Sequence, residues 1–191
     1  LQRLREDALR LLAWAIEPVC LLCKDARVTR GGLCETCRST LAFNHRHCSC
    51  CAAPLFTDSI CGRCQKSMPQ FDQVIAPVLY EEPIDKMICD LKYREQLPLA
   101  RIAAELIADS VLKSGEKKPD LICSVPMTHR AIRKRGFNQA AFIAKLVGKR
   151  LGMTVSHDLL KKRRETAHQS ELDARTRAKN LKNAFACTRR I

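Results

Sequence analysis

Eight of the twelve cysteines fall in four pairs of one spacing: Cys20-x-x-Cys23, Cys34-x-x-Cys37, Cys48-x-x-Cys51 and Cys61-x-x-Cys64. Two thiolates three residues apart grip one ion from a tight turn, and two such turns complete a tetrahedral site of four sulfurs. The four pairs predict two closed sites holding zinc. They are structural, because four thiolates leave no open position for a substrate. Sequential pairing (20, 23, 34, 37 and 48, 51, 61, 64) is the simple choice, as in a double zinc ribbon. An interleaved arrangement of the RING type remains open on spacing alone. Cys50, His45 and His47 lie among these ligands and are expected to be bystanders, since the thiol pairs already satisfy both sites.

A second chemistry-bearing stretch runs from Asp120 to Phe142. Leu121, Ile122 and Val125 make an apolar run of strand length, which Pro126 ends because it has no N–H to donate. A basic connection follows with Arg130, Arg133, Lys134 and Arg135, then Gly136, then Asn138 and Gln139 at the start of an amphipathic helix. Glycine lets a backbone approach a ligand closely, and amides at a helix start attract anions. Strand-to-helix junctions are also where open α/β sheets bind ligands. The stretch is therefore a candidate phosphate site, with a plain basic surface loop as the equally weighted alternative.

The elements that must position these groups follow from patterning. Residues 1–17 read as one amphipathic helix, with Leu1, Leu4, Ala8, Leu11 and Ala15 on one side and Pro18 as its stop. Residues 18–67 form the metal module. They carry too little apolar sequence for a core, so metal binding is expected to supply much of the folding energy. Residues 69–191 form a second domain. Phe71 to Tyr80 has β character with a bend or edge at Pro77, and Ile84, Met87, Ile88 and Leu91 mark one face of a helix running into Lys92. Another helix spans Leu99 to Leu112, and a short strand is expected around Met153 to Ser156. The long polar segment from Lys161 to Asn180 has the character of a mobile lid or binding loop.

The net charge of +14 is unevenly spread. From Arg130 to Arg190 there are 17 Lys and Arg against 4 Asp and Glu. Such a field favours a polyanionic partner such as nucleic acid or a phosphorylated metabolite. From Arg130 onward the only aromatics are Phe137, Phe142 and Phe185, so binding to nucleic acid there is expected to run through phosphates and to fall steeply with salt. No apolar run approaches the roughly 18 residues of a membrane span, and the first residues are not a signal peptide. A soluble, cytoplasmic protein without membrane insertion is expected.

Together these residues resemble the competence protein F (ComF) family, a zinc-ribbon module fused to a type I phosphoribosyltransferase-like domain. The likeness covers nearly everything from Pro18 onward. It rests on the ordered Cys pairs, Phe71-Asp72, Leu91-Lys92-Tyr93, Val125-Pro126 and the run RGFNQ at 135–139. It rests too on Thr166-x-x-Gln169-x-x-Leu172, Arg177-x-x-Asn180 and Ala184-Phe185. The resemblance implies an α/β, doubly wound sheet that binds phosphoribosyl diphosphate with magnesium. Lys92, Arg135, Gly136, Asn138, Gln139, Gln169, Arg177 and Asn180 are then the substrate-binding candidates, with Thr166 to Asn180 as the closing loop. It also implies a role in DNA uptake during natural transformation, with a DNA-uptake helicase or other competence proteins as partners. The family's acidic strand and Thr-Thr-Gly-type loop follow the Ala184-Phe185 segment. This chain stops at Ile191, so these 191 residues alone are not expected to catalyse transfer. The competing expectations are a zinc-ribbon factor that binds single-stranded DNA without turnover and an adaptor that docks through its ribbons.

Overall fold

The computed structural model describes residues 19–28, 32–57, 59–166 and 173–189. The expected helix over 1–17 lies outside them. The chain divides into two compact units, Leu1–Cys89 with Gln96–Ile102, and Asp90–Glu95 with Ala103–Ile191. It is a mixed α/β protein with small sheets. Among the described residues no helix is long and apolar enough to cross a membrane.

The first unit is built on turns rather than on extended sheet. Two one-turn helices, α1 (Glu35–Ser39) and α2 (Gly62–Lys66), each begin directly after a cysteine. Isolated antiparallel bridges join Val19 to Arg27, Phe43 to Val78 and His47 to Pro54. The buried polar side chain here, Asn44, is satisfied: its amide donates to Ala52 O at 2.9 Å. The segment expected to have β character over Phe71 to Tyr80 makes one bridge, at Val78. Pro77 contributes only its carbonyl, which accepts from Asn44 N at 3.0 Å. A proline cannot donate to a ladder, so the pairing does not propagate through it.

Two longer helices carry the chain across both units: α3 (Ile84–Tyr93) and α4 (Leu99–Lys113). In the second unit β1 (Ile122–Cys123) leads through α5 (His129–Arg135) and α6 (Gln139–Leu151) to β2 (Val155–Ser156). The two strands pair in parallel, Ile122 with Val155 and Cys123 with Ser156. Parallel neighbours need a helical crossover, and α5–α6 supplies it. The core joins Ala104 and Ala108 of α4 to Val147 and Leu151 of α6, with Ile107, Ile122 and Met153 packed against them. At the rim of the two helices Arg150 donates to Asp109 at 2.7 Å, an ion pair half in solvent and so of minor weight.

An antiparallel pair completes this unit: β3 (Leu160–Lys162) and β4 (Phe185–Cys187), with Lys161 opposite Ala186. The segment expected to be a lid lies between them and contains a helix, α7 (Ala174–Leu181). Asp173 caps it by accepting from Thr176 N at 2.9 Å. Arg164, just past β3, donates to the carbonyls of Asn180 at 2.8 Å and Lys182 at 2.9 Å, which fixes the end of that helix. A cation on the last carbonyls of a helix satisfies groups the helix itself leaves open.

Candidate metal centres and phosphate-binding turn

The thiols gather into two groups, Cys20, Cys23, Cys34, Cys37 and Cys48, Cys51, Cys61, Cys64, with all Sγ atoms of a group within 4.8 Å of one another. This is the sequential arrangement. Each group is made the same way. Its first pair lies on a tight turn closed by a left-handed residue, Lys24 (φ 62) or Ala52 (φ 55). The closing amide donates to the first cysteine's carbonyl, Lys24 N to Cys20 O at 2.8 Å and Ala52 N to Cys48 O at 2.9 Å. Its second pair opens a short helix, with Cys34 as the N-cap of α1 and Cys61 as that of α2.

Zinc fits both groups. A tetrahedron with arms of ~2.3 Å has edges of ~3.8 Å. The Sγ atoms of Cys23 and Cys34 stand 4.0 Å apart, and those of Cys51 and Cys61 3.7 Å apart. Four sulfurs and no oxygen or nitrogen donor select a soft ion, and the closed set makes it structural. Cys50 is buried beside Cys48 and Cys64 but belongs to neither group, and neither do His45 and His47. His47 instead bonds Asn44 O at 2.9 Å through Nδ1.

Backbone dipoles prepare part of each set for metal. The amides of Cys61 and Cys51 hold the Cys48 thiol down to about 6. Burial pushes Cys20 upward, but the amides of Cys34, Cys23 and Leu22 outweigh it and bring that thiol to about 6. Cys37 is pushed up to about 12, first by the neighbouring Cys34 side chain and then by burial. Burial, with Cys51 and Cys61 beside it, raises Cys64. Cys51 is lowered by the Ala53 amide and then by Arg63, whose Nη2 lies 3.6 Å from its sulfur. Each group therefore pairs a thiol that is ionised at neutral pH with one that keeps its proton until metal displaces it. Zinc loading is expected to release protons, so affinity rises with pH across the neutral range. Calorimetry at pH 7 in two buffers of different ionisation heat measures this, and identical heats in both would contradict it.

In the second unit the RGFNQ turn brings four of the expected residues together. Asn138 is the N-cap of α6: its Oδ1 accepts from Ala140 N at 3.0 Å and Ala141 N at 3.3 Å. Its Nδ2 donates to Val125 O at 3.1 Å, tying the exit of β1 to the start of α6. Arg135 is half-buried, donates to Gln139 Oε1 at 3.3 Å, and places its guanidinium 5.6 Å from the centre of the Tyr93 ring. Gly136 turns the chain with φ 84, and a Cβ there would lie 3.3 Å from Glu95 Oε1. Lys92 is half-buried on the last turn of α3, next to Tyr93. Arg177 and Asn180 fall on α7, although the Arg177 side chain and all of Gln169 lie outside the described residues. Tyr93 and Glu95 are the neighbours the sequence did not assign. Tyr93 stood in the Leu91-Lys92-Tyr93 motif without a role of its own, and Glu95 had no signal.

Residues 11–65 match the double zinc ribbon domain family. The chain is 31% identical over 173 residues to DNA utilization protein YhgH of Salmonella typhimurium, covering 87% of this chain and 76% of that one. The protein of the same name from Escherichia coli (strain K12) is 32% identical over 178 residues, covering 83% and 78%. Competence protein F of Haemophilus influenzae is 28% identical over 173 residues, covering 87% and 75%. No solved structure matches the chain. With its two four-cysteine centres and this likeness along most of its length, the chain belongs to the family of DNA utilization protein YhgH and competence protein F.

Proposed function

We propose that the protein serves in the uptake or utilisation of DNA, and that its second unit, a type I phosphoribosyltransferase-like fold, binds phosphoribosyl diphosphate with magnesium at the turn between β1 and α6. The names of its relatives support the first part. One observation carries the second: Asn138 binds Val125 O and the first amides of α6 at once, so the Arg135–Gly136 turn is held at the strand exit. This is where α/β folds receive phosphates.

The groups present suit a bulky anion. Arg135 supplies a fixed cation, oriented by Gln139. The exposed Gly136 admits close approach by an oxygen-rich ligand. Magnesium would arrive with the diphosphate and offset part of its charge, and Glu95 is the carboxylate on this turn that would hold it. Phosphoribosyl diphosphate supplies an anomeric carbon from which diphosphate departs. The chain's own share is charge neutralisation by Arg135 and Lys92, positioning by Asn138 and Gln139, and exclusion of water by the segment bearing Gln169, Arg177 and Asn180.

A second reading, single-stranded DNA bound through its phosphates, draws on α5. Arg130, Arg133 and Lys134 are exposed on one side of that helix, without a salt-bridge partner among the described residues. Calorimetric titration of magnesium phosphoribosyl diphosphate separates the two. Arg135→Ala is expected to weaken that ligand by about 10- to 100-fold, the ~1.5–3 kcal/mol of a hydrogen bond to a charged group. An oligonucleotide should lose only one charge's worth of salt-sensitive affinity. Equal affinity of wild type and variant for phosphoribosyl diphosphate, or no binding to either, refutes the phosphate site.

A further inference from the structure

The two metal centres are built alike but are not equivalent, because the second holds a fifth sulfur. The turn of its first pair reads Cys48-Ser49-Cys50-Cys51, and at the place of Cys50 the first centre, Cys20-Leu21-Leu22-Cys23, carries Leu22. A turn of this kind therefore forms without a thiol at that position. Cys50 is 4% exposed and packs with Cys48 and Cys64 in one buried cluster. Its carbonyl accepts from Val74 N at 2.8 Å, which anchors the backbone there.

The four ligands of this centre divide by depth. Cys48 and Cys64 are buried, whereas Cys51 and Cys61 are half-buried. The outer two have their Sγ atoms 3.7 Å apart. Arg63 adds a cation on this side, its Nη2 3.6 Å from Cys51 Sγ. Accessible thiolates in electropositive surroundings, with a second sulfur in reach, are the ones that oxidants convert to disulfides. The centre thus has an outer pair open to oxidation and an inner trio, Cys48, Cys50 and Cys64, sheltered from it.

We propose that Cys51 and Cys61 form a disulfide under peroxide, and that Cys50 is the reserve ligand that then keeps zinc on the inner trio. The Cys51 thiolate attacks one peroxide oxygen, the O–O bond breaks, and the departing hydroxide takes a proton from solvent to become water. The Cys61 thiolate then attacks the Cys51 sulfur. The S–S bond forms as the S–O bond breaks, and the second hydroxide is protonated in the same way. Two thiolates give up two electrons in all, and one peroxide becomes two waters. Cys50 yields its proton to solvent as it joins Cys48 and Cys64 on the metal. Three thiolates remain a soft donor set that suits zinc. Cys50 does not stand in for Cys48, whose sulfur accepts the Cys61 amide at 3.3 Å and joins the halves of the site.

The test treats the zinc-loaded full chain, its Cys50→Ser variant and its Cys50→Ala variant with a few equivalents of hydrogen peroxide and then removes free metal by desalting. Before treatment all three should carry two ions, because Cys50 lies outside both groups. One ion in the untreated variants would make Cys50 a resting ligand and overturn the proposal. After treatment both variants are expected to retain one ion fewer than wild type by elemental analysis. Loss from the first centre is common to all three and cancels in that comparison. Peptide mapping by mass spectrometry should find Cys51 joined to Cys61 in each protein. Equal zinc in wild type and variants after oxidation overturns the reserve role, and so does a disulfide that contains Cys50 or the absence of the Cys51–Cys61 bond. A second arm needs no oxidant. The double variant Cys51→Ser, Cys61→Ser should keep two ions, and adding Cys50→Ser should lower them to one. A single ion in the double variant would mean that the inner trio does not hold zinc, which also overturns the proposal.

Discussion

Cys48→Ser is expected to lower the bound zinc from two ions per chain to one and to unfold the second ribbon. Cys48 is completely buried, and its sulfur accepts the Cys61 amide at 3.3 Å. Its carbonyl closes the turn through Ala52 N at 2.9 Å, and its own amide donates to Ala53 O at 2.8 Å. The residue therefore joins both halves of the site to one another. Around it the buried residues of the cluster are cysteines alone, Cys48, Cys50 and Cys64, so no apolar core stands ready to hold the ribbon without metal. Structural zinc is worth ~10–16 kcal/mol in small sulfur-ligated modules. That matches or exceeds the ~5–15 kcal/mol by which whole domains are stable. Losing the ion therefore outweighs any remaining contact. Elemental analysis gives the stoichiometry, and limited proteolysis shows whether the chain between Arg46 and Lys66 has become cleavable. Cys50→Ser is the contrasting variant. Its thiol lies outside both groups, so two ions should remain. Two ions retained in Cys48→Ser, with Cys50→Ser losing one, would exchange the roles of these neighbours.

The metal ligands were legible because Cys-x-x-Cys is local chemistry: the geometry that grips an ion is set by three consecutive peptide units. Their sequential pairing was one of two choices on spacing alone, and the folded chain selects it through the paired turns at Lys24 and Ala52. The turn at 135–139 was legible as a special place but not in its internal roles. Asn138 reads as a phosphate ligand from residue type, whereas both ends of its amide are engaged with Val125, Ala140 and Ala141. Its part in any binding is to hold the turn. Tyr93 and Glu95 could not be placed beside Arg135 from spacing, because some forty residues separate them and only the tertiary fold closes that distance. Helix α7 escaped for another reason. It is two turns long and charge-rich, with only Ala174, Ala178 and Leu181 apolar, too little to set an apolar period apart from a polar loop, and what starts it is one capping aspartate, Asp173. In the opposite sense the apolar run at 71–80 promised more pairing than Pro77 permits.

The second large effect concerns the scaffold of the candidate ligand turn. Gly148→Ala is expected to destabilise the second unit by up to ~2 kcal/mol, against the usual sign for glycine in a helix. In an exposed helix interior the exchange gains about 1 kcal/mol from propensity alone. Gly148, however, is buried on α6 where β2 crosses it, and a Cβ there would run into Val155 Cγ2 and lie 3.0 Å from Met153 O. Neither neighbour yields easily. Val155 is β-branched and stiff, and it is registered with Ile122 in the parallel pair, while the Met153 oxygen belongs to the backbone. Overpacking of this sort costs ~1–3 kcal/mol, so the clash outweighs the propensity gain. With a urea slope of ~1–3 kcal/mol per molar, the unfolding midpoint should fall by up to about one molar. Gly62→Ala is the control: nothing lies within 4 Å of its Cβ position, so the midpoint should hold or rise slightly. A midpoint for Gly148→Ala equal to the control's would mean that β2 does not rest on α6. The parallel pair that sets the exit of β1 would then lack its support, and with it the placement of Val125 against Asn138.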